Sequence, residues 1–116
     1  TAHKQWYFVK SLDGFTPIGP CIVTADAFAD YPPRLGIRSF VNGEKRQDSN
    51  TALQIFDIDH VIAELSQGMT LKAGTIIATG TPAGVGMGMD PPQFLKPGDV
   101  VRCEIDGIGT LTNPVK

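Results

Sequence analysis

Ile37-Arg38-Ser39-Phe40-Val41-Asn42-Gly43 decides how the rest of the chain is read. Its first five residues alternate apolar and polar side chains, the period of a half-buried strand. Asn42-Gly43 then supplies the dipeptide whose tolerance of positive φ suits a type I′ turn. A strand and a tight turn are expected, with Glu44-Lys45-Arg46-Gln47-Asp48 as a polar return strand or loop facing water or an inter-subunit surface. A second hairpin is signalled further on. Pro97-Gly98-Asp99 turns into Val100-Val101-Arg102-Cys103-Glu104-Ile105, Asp106-Gly107 turns again, and Ile108-Gly109-Thr110-Leu111 returns.

Between the hairpins one helix is expected. Ile58, Val61, Ile62 and Leu65 recur at i, i+3, i+4 and i+7, Asp57 or Asp59 can cap the start, and Gly68 sits where a left-handed cap is wanted. That apolar face should pack on the sheet as scaffold, with His60 on the solvated side. Thr75-Ile76-Ile77-Ala78-Thr79 then reads as a short buried strand. It breaks into Gly80-Thr81-Pro82-Ala83-Gly84-Val85-Gly86-Met87-Gly88, four glycines and a proline in nine residues. Gly 13 and Pro 9 are scattered between β-prone runs instead of being gathered in a linker. The fold class is mainly β (α+β) with one principal helix, in a single domain over residues 1–116.

Charge and hydropathy exclude whole classes of function. Ten Lys+Arg against 12 Asp+Glu leave a net charge of -2 with no basic stripe, so no nucleic acid partner is expected. The longest apolar runs are far below the ~20 residues of a spanning helix, so no membrane partner is expected either. Thr1 is not a start Met and no leader follows, so the chain reads as a piece whose original N-terminus is missing. Its 116 residues should bury a modest core. Cys21 and Cys103 stand 82 positions apart without a CxxC pattern. They are expected as reduced, buried thiols, which points to a cytoplasmic location, or the mitochondrial matrix in a eukaryote.

Nucleophilic catalysis has little support. No GxSxG elbow surrounds Ser11, Ser39, Ser49 or Ser66, and His3 and His60, the only imidazoles, lie at no motif spacing from a Cys, Ser or carboxylate. The glycine-rich stretch lacks the GK[ST] ending of a P-loop. It can still offer consecutive backbone N–H groups and the Thr81 hydroxyl to an anionic or carbonyl oxygen, or serve as a structural turn. Lys10 ends the aromatic run Trp6-Tyr7-Phe8-Val9. A lysine there is expected to be partly desolvated and suited to neutralising a carboxylate or enolate, unless it snorkels to water.

At these places the chain resembles the fumarylacetoacetate hydrolase family. The matching stretches are Lys10-Ser11-Leu12-Asp13 leading to Pro17-Ile18-Gly19-Pro20, then Val41-Asn42-Gly43-Glu44-x-Arg46-Gln47 and Thr51. Thr79-Gly80-Thr81-Pro82-Ala83-Gly84-Val85-Gly86, Leu95-Lys96-Pro97-Gly98-Asp99 and Ile105-x-Gly107-Ile108-Gly109-x-Leu111 complete them. The resemblance implies a mixed β-sandwich or β-roll, a homodimer, and a divalent cation, Mg2+ or else Mn2+ or Ca2+, that chelates a small-molecule oxo-acid substrate.

It further implies metal-dependent hydrolysis of carbon–carbon bonds in 1,3-diketo or 2-oxo acids of the fumarylacetoacetate, fumarylpyruvate or acylpyruvate type, as in aromatic catabolism. The alternatives are decarboxylation or isomerisation of oxaloacetate-like or 2-hydroxyhepta-2,4-diene-1,7-dioate-like acids, or a non-catalytic fragment or assembly domain. By position Lys10 resembles the family's active-site lysine, and Gly80 and Thr81 resemble its substrate-binding turn. The family's metal ligands, an ExE pair and a later Asp, precede the lysine motif. No metal ligand is therefore assigned here, and Asp13, Asp26, Asp30, Glu44 and Asp48 are not promoted in their place. The chain is expected to correspond to the C-terminal half of such an enzyme and to be inactive alone.

Overall fold

The structure, a computed structural model, describes residues 5–116; His3 and Thr1 lie outside them. Both expected hairpins form. Strands β1 (Gly36–Val41) and β2 (Glu44–Asn50) meet at Asn42-Gly43, and β3 (Val100–Ile105) and β4 (Gly109–Pro114) meet at Asp106-Gly107. They build one antiparallel sheet in the order β2-β1-β3-β4. Asn42 at φ 52° and Gly43 at φ 83° are both left-handed, as a type I′ turn needs.

That turn is also the link between the two hairpins. The Asn42 side chain donates to Asp99 Oδ1 at 2.8 Å and accepts from the Val100 N–H at 2.9 Å, while the Asn42 N–H donates to the Val100 carbonyl. At the opposite end of β1, Arg38 donates to both carboxylate oxygens of Asp106, at 2.8 and 3.3 Å.

The register sorts the two faces. Ile37, Ser39 and Val41 stand beside Ile105, Cys103 and Val101, with Leu111 next to Cys103. Arg38 lies between Asp48 and Glu104 on the other face. Phe40 shares this polar face, beside Arg102, whose guanidinium sits 4.2 Å from the ring centroid. The cation over the ring gives an aromatic side chain a partner on a charged surface. In β2 the pairing slips: Ser39 pairs with Gln47 but Phe40 with Lys45, leaving Arg46 as the extra residue of a β-bulge. The return strand therefore does not simply face water, for Arg46 and Gln47 are half-buried.

Helix α1 (Trp6–Lys10) occupies the aromatic run, its N–H of Tyr7 capped by the Gln5 side chain. Helix α2 (Ile58–Ser66) is the principal helix, and Asp57 is its cap, accepting from the His60 N–H at 2.7 Å. His60 is exposed and stacks on Phe56, ring centroids 4.8 Å apart. Gly68 does not take the expected left-handed conformation; the helix ends at Ser66, and the Gly68 N–H reaches the Leu65 carbonyl from a right-handed Gln67.

Three further expectations are corrected. Residues 75–79 form no strand, and Ile76 is 63% exposed: β-branched residues prefer extended backbone, but no neighbouring strand offers them a ladder among the described residues. The thiols of Cys21 and Cys103 are free but exposed. No described hydrophobic side chain is fully buried, and the accessible surface of 9360 Å² exceeds the roughly 6100 Å² of a compact chain of this mass. One sheet with two short helices has no second layer to close a core. Ile58, Val61 and Leu65 are only half-buried and Ile62 is exposed.

Two measurements follow. A Leu65→Ala change removes a half-covered side chain, so thermal or urea unfolding should record a loss of about 1 kcal/mol, below the ~2–5 of a fully buried leucine. Asp99, through the bond from Asn42, and Asp106, through its bonds from Arg38, are held below the usual carboxylate range. Groups with depressed folded values stabilise above their unfolded value and lose that contribution as pH falls through the folded one. Melting temperature should therefore be level from pH 7 to about 5 and fall below about 4, less steeply in Asp99→Asn.

Candidate functional site

The bulge at Arg46 sets the geometry of the glycine-rich turn. Gly84, at φ +102°, lies so close to β2 that a Cβ there would collide with the Arg46 carbonyl. Gly86 is pressed as closely on the Gln93 carbonyl, and its own carbonyl accepts from the Gln93 N–H at 2.9 Å. The loop is therefore held on both sides of Val85 by backbone-to-backbone approach, which only glycine permits. Gly80 is left-handed at φ +108° with open space around its α-carbon.

Side chains complete the hold. Gln47 Nε2 donates to Thr81 Oγ1 at 2.7 Å and to the Pro82 carbonyl at 2.9 Å, while its Oε1 accepts from the Ser39 hydroxyl at 2.8 Å. Gln54 Nε2, just past the 3₁₀ turn Thr51–Leu53, donates to Thr79 Oγ1 at 3.1 Å. Both threonines of the Thr79-Gly80-Thr81-Pro82 turn accept from a glutamine amide. Among the described residues no acceptor is bonded to the N–H groups of Gly80, Thr81, Ala83 or Gly84. The turn can direct such donors at an oxygen anion.

Gly80, Thr81 and Thr79 line a hollow of about 510 Å³ with Gln54, Ile37 and Val61. None of its lining residues is a His, Lys, Arg, Asp or Glu. On the other side of Gln47 a second hollow of about 640 Å³ runs under residues 92–96 to Val101 and Cys103.

Lys10 lies elsewhere. It is the last residue of α1, exposed, with its ammonium 5.9 Å from the Trp6 ring centroid and no carboxylate paired with it among the described residues. The expected partial desolvation is not found, because Trp6, Tyr7 and Phe8 are themselves exposed at 64%, 80% and 51%. It lines neither hollow, so the structure joins Gly80 and Thr81 but does not bring Lys10 to them. Nor do three or more His, Cys, Asp or Glu side chains converge among the described residues, so they do not furnish a metal centre. Gln47 and Gln54 are functional candidates that the sequence pattern does not single out. Alternation places Gln47 on a polar, outward strand, and a bulge, invisible to a period-two pattern, is what turns it towards the loop.

The family model described as fumarylacetoacetate (FAA) hydrolase C-terminal matches residues 1–116. The chain belongs to the fumarylacetoacetate hydrolase family. It is 51% identical over 112 residues to the mitochondrial oxaloacetate tautomerase fahd2 of Xenopus laevis, covering 97% of this chain and 35% of that protein. Among solved structures it superposes on the fumarylacetoacetate hydrolase of Exiguobacterium antarcticum with a TM-score of 0.86 and 55% identity, covering 92% of this chain and 38% of that one. A maleylpyruvate hydrolase from Sphingobium sp. SYK-6, solved with manganese(II) and pyruvate, gives 0.80 and 44% over 93% of this chain and 38% of its own. The chain thus spans little more than a third of the relatives it matches. The family fold expected from the motifs is the one observed, and the family is one of enzymes.

Gly84→Ala should strip the turn from β2 without unpairing β1 from β3. Hydrogen exchange is expected to speed up at Gly88, Met89 and Gln93, whose N–H groups are bonded to the Val85 and Gly86 carbonyls, while Ser39 and Cys103 keep their protection.

Proposed function

We propose that this chain forms the oxo-acid-binding part of a metal-dependent hydrolase that cleaves a carbon–carbon bond in 1,3-diketo or 2-oxo acids. The observation that carries the proposal is the fixed Thr79-Gly80-Thr81-Pro82 turn, which has unspent N–H groups at Gly80 and Thr81 and lines a hollow with no titratable side chain. Such a surface binds an oxygen anion and performs no proton transfer of its own. Gly80 and Thr81 hold the carboxylate or the developing enolate of the substrate, and the Lys10 ammonium, which does not line this hollow within the chain, is proposed to neutralise that charge in the full-length protein. Cleavage by water leaves the electron pair of the broken bond on the 2-oxo-acid fragment as an enolate, and donors fixed around that oxygen lower the barrier.

A divalent cation, Mg2+ or otherwise Mn2+ or Ca2+, belongs to the proposal through the manganese-bound maleylpyruvate hydrolase relative. Its ligands are assigned outside the described residues, and the cation would polarise the oxo-acid. A second reading, tautomerisation or decarboxylation of an oxaloacetate-like acid, is favoured by the 51% identity to an oxaloacetate tautomerase. Both reactions pass through an enolate, so the same turn serves either. Association as a homodimer is also proposed, supported by large exposed side chains such as Ile22 at 82%, Leu53 at 73% and Ile55 at 92%. No helix among the described residues is long and apolar enough to cross a membrane.

Calorimetry with Mg2+ and oxalate, a mimic of the enolate, separates the contributions. The full-length polypeptide that contains this chain should bind both, and the 116-residue chain alone should bind neither tightly. Tight Mg2+ binding by the short chain would overturn the placement of the ligands. Lys10→Ala in the full-length protein should lower turnover about a hundredfold or more with little change in melting temperature, because the side chain is exposed.

A further inference from the structure

Gln47 has three hydrogen bonds, and their directions are fixed by chemistry. The Pro82 carbonyl can only accept, so the nitrogen of the Gln47 amide must face it, at 2.9 Å. The amide oxygen is left to the Ser39 hydroxyl, which donates to it at 2.8 Å. An NH2 group carries two protons. One goes to Pro82 and the other to Thr81 Oγ1, 2.7 Å away. Thr81 is therefore the acceptor in that bond. Its own single proton finds no acceptor among the described residues, while the residue lines the 510 Å³ hollow.

We infer that Gln47 is a positioning residue that presets the Thr81 hydroxyl as a hydrogen-bond donor, so that the turn selects ligands presenting an acceptor oxygen, a carboxylate or an enolate, over ligands presenting a hydroxyl or amine. A free threonine hydroxyl can turn either its proton or a lone pair to a ligand and so discriminates poorly. With Gln47 donating from the β2 side, one of the two lone pairs is taken and the proton is kept off that side, so the proton, which has no other acceptor among the described residues, is biased towards the ligand. The preset is rigid because Gln47 is held from two directions. Its backbone follows the bulge at Arg46, against which Gly84 is packed, and its amide is locked by Ser39 on the neighbouring strand. Gln54 Nε2 stands 3.1 Å from Thr79 Oγ1, a second glutamine amide against a threonine of the same turn. This inference rests on the oxo-acid reading of the turn and sharpens it by naming what sets its specificity.

The test is a double-mutant cycle read by oxalate binding in the presence of Mn2+, in the full-length polypeptide that contains this chain. Gln47→Glu keeps the side-chain shape and the bond from Ser39 but replaces the donor by an acceptor, which draws the Thr81 proton away from the ligand, gives up the bond to the Pro82 carbonyl and adds a charge. Gln47→Glu and Thr81→Val should each weaken oxalate about tenfold, and Gln47→Glu should add less than about threefold once Thr81→Val is in place. A full tenfold loss in both backgrounds, with Gln47→Met also weakening oxalate in both, would mean that Gln47 acts through charge or the fold and not through the hydroxyl, and the inference would fall. Gln47→Met, uncharged and unable to donate, guards against a misfolded variant: it should weaken oxalate about threefold, again only when Thr81 is present. If Thr81→Val weakens oxalate while neither Gln47 variant does, the positioning role is wrong and the oxo-acid reading stands. If Thr81→Val leaves oxalate binding unchanged, the oxo-acid reading fails and the inference with it.

Discussion

One extra residue in β2 organises the rest of the molecule. Were β2 paired with β1 without interruption, Arg46 and not Gln47 would occupy the place opposite Ser39. The bulge moves Gln47 into that place, beside the Ser39 hydroxyl, and exposes the Arg46 carbonyl edge on which Gly84 rests. The loop is thereby laid along the sheet at a fixed height, and its Thr81 and Pro82 come within reach of a single amide. Bulges re-aim side chains at the cost of one unpaired residue. Here the unpaired residue is partly compensated, since Arg46 reaches Glu44 at 3.3 Å and the Met89 sulfur at 3.1 Å.

A constraint of this kind explains what can be read in advance. Asn42-Gly43 announces its hairpin because a turn of two left-handed residues is written in two adjacent letters, and Asp106-Gly107 announces the other through a left-handed glycine after a turn-forming aspartate. The helix from Ile58 announces itself through a period of 3.6 and an aspartate cap. Gly80 and Thr81 are legible as candidates because a concentration of glycines implies unusual backbone. What connects them is not, because Gln47 touches Thr81 across 34 residues of sequence and the contact depends on a slip in register. The run Thr75-Ile76-Ile77-Ala78-Thr79 misleads for the opposite reason: its local preference is clear, but a strand also needs a partner, and that is information from outside the run.

The exposed apolar surface has the same origin. A four-stranded sheet can turn one face to water when the other is covered, and the face of Ile37, Val41, Val101, Cys103 and Leu111 is covered only by loops and by hollows of about 640 and 510 Å³. The polar face is self-sufficient, with Arg38 bridging Asp48 and Asp106 and Arg102 covering Phe40. The asymmetry locates the stabilising interactions of the chain. They lie in the strand ladders and in the ties at the two ends of β1, from Asn42 to Asp99 and from Arg38 to Asp106. All of these are exposed polar contacts of modest individual strength. Hydrophobic burial, the main driving force in most domains, contributes little within this chain.

A hollow without a titratable side chain bears on how one family can include a tautomerase and a hydrolase. Fixed donors stabilise an oxyanion whichever bond is made or broken next to it. They carry no protons to exchange at neutral pH and so do not choose between moving a proton and admitting water. That choice requires a group that titrates, and none lines the hollow beside Thr81. On the function proposed above, the turn is suited to what the reactions share, an enolate held by oriented hydroxyl and amide groups. A relative that is 51% identical across this chain can keep the whole arrangement while the groups that decide the outcome vary in the remaining two thirds of its length. On the proposed reading, identity over this segment speaks to the Thr79-Gly80-Thr81-Pro82 turn and the glutamines bonded to it, and a difference in reaction between two members is to be sought in titrating side chains outside this hollow.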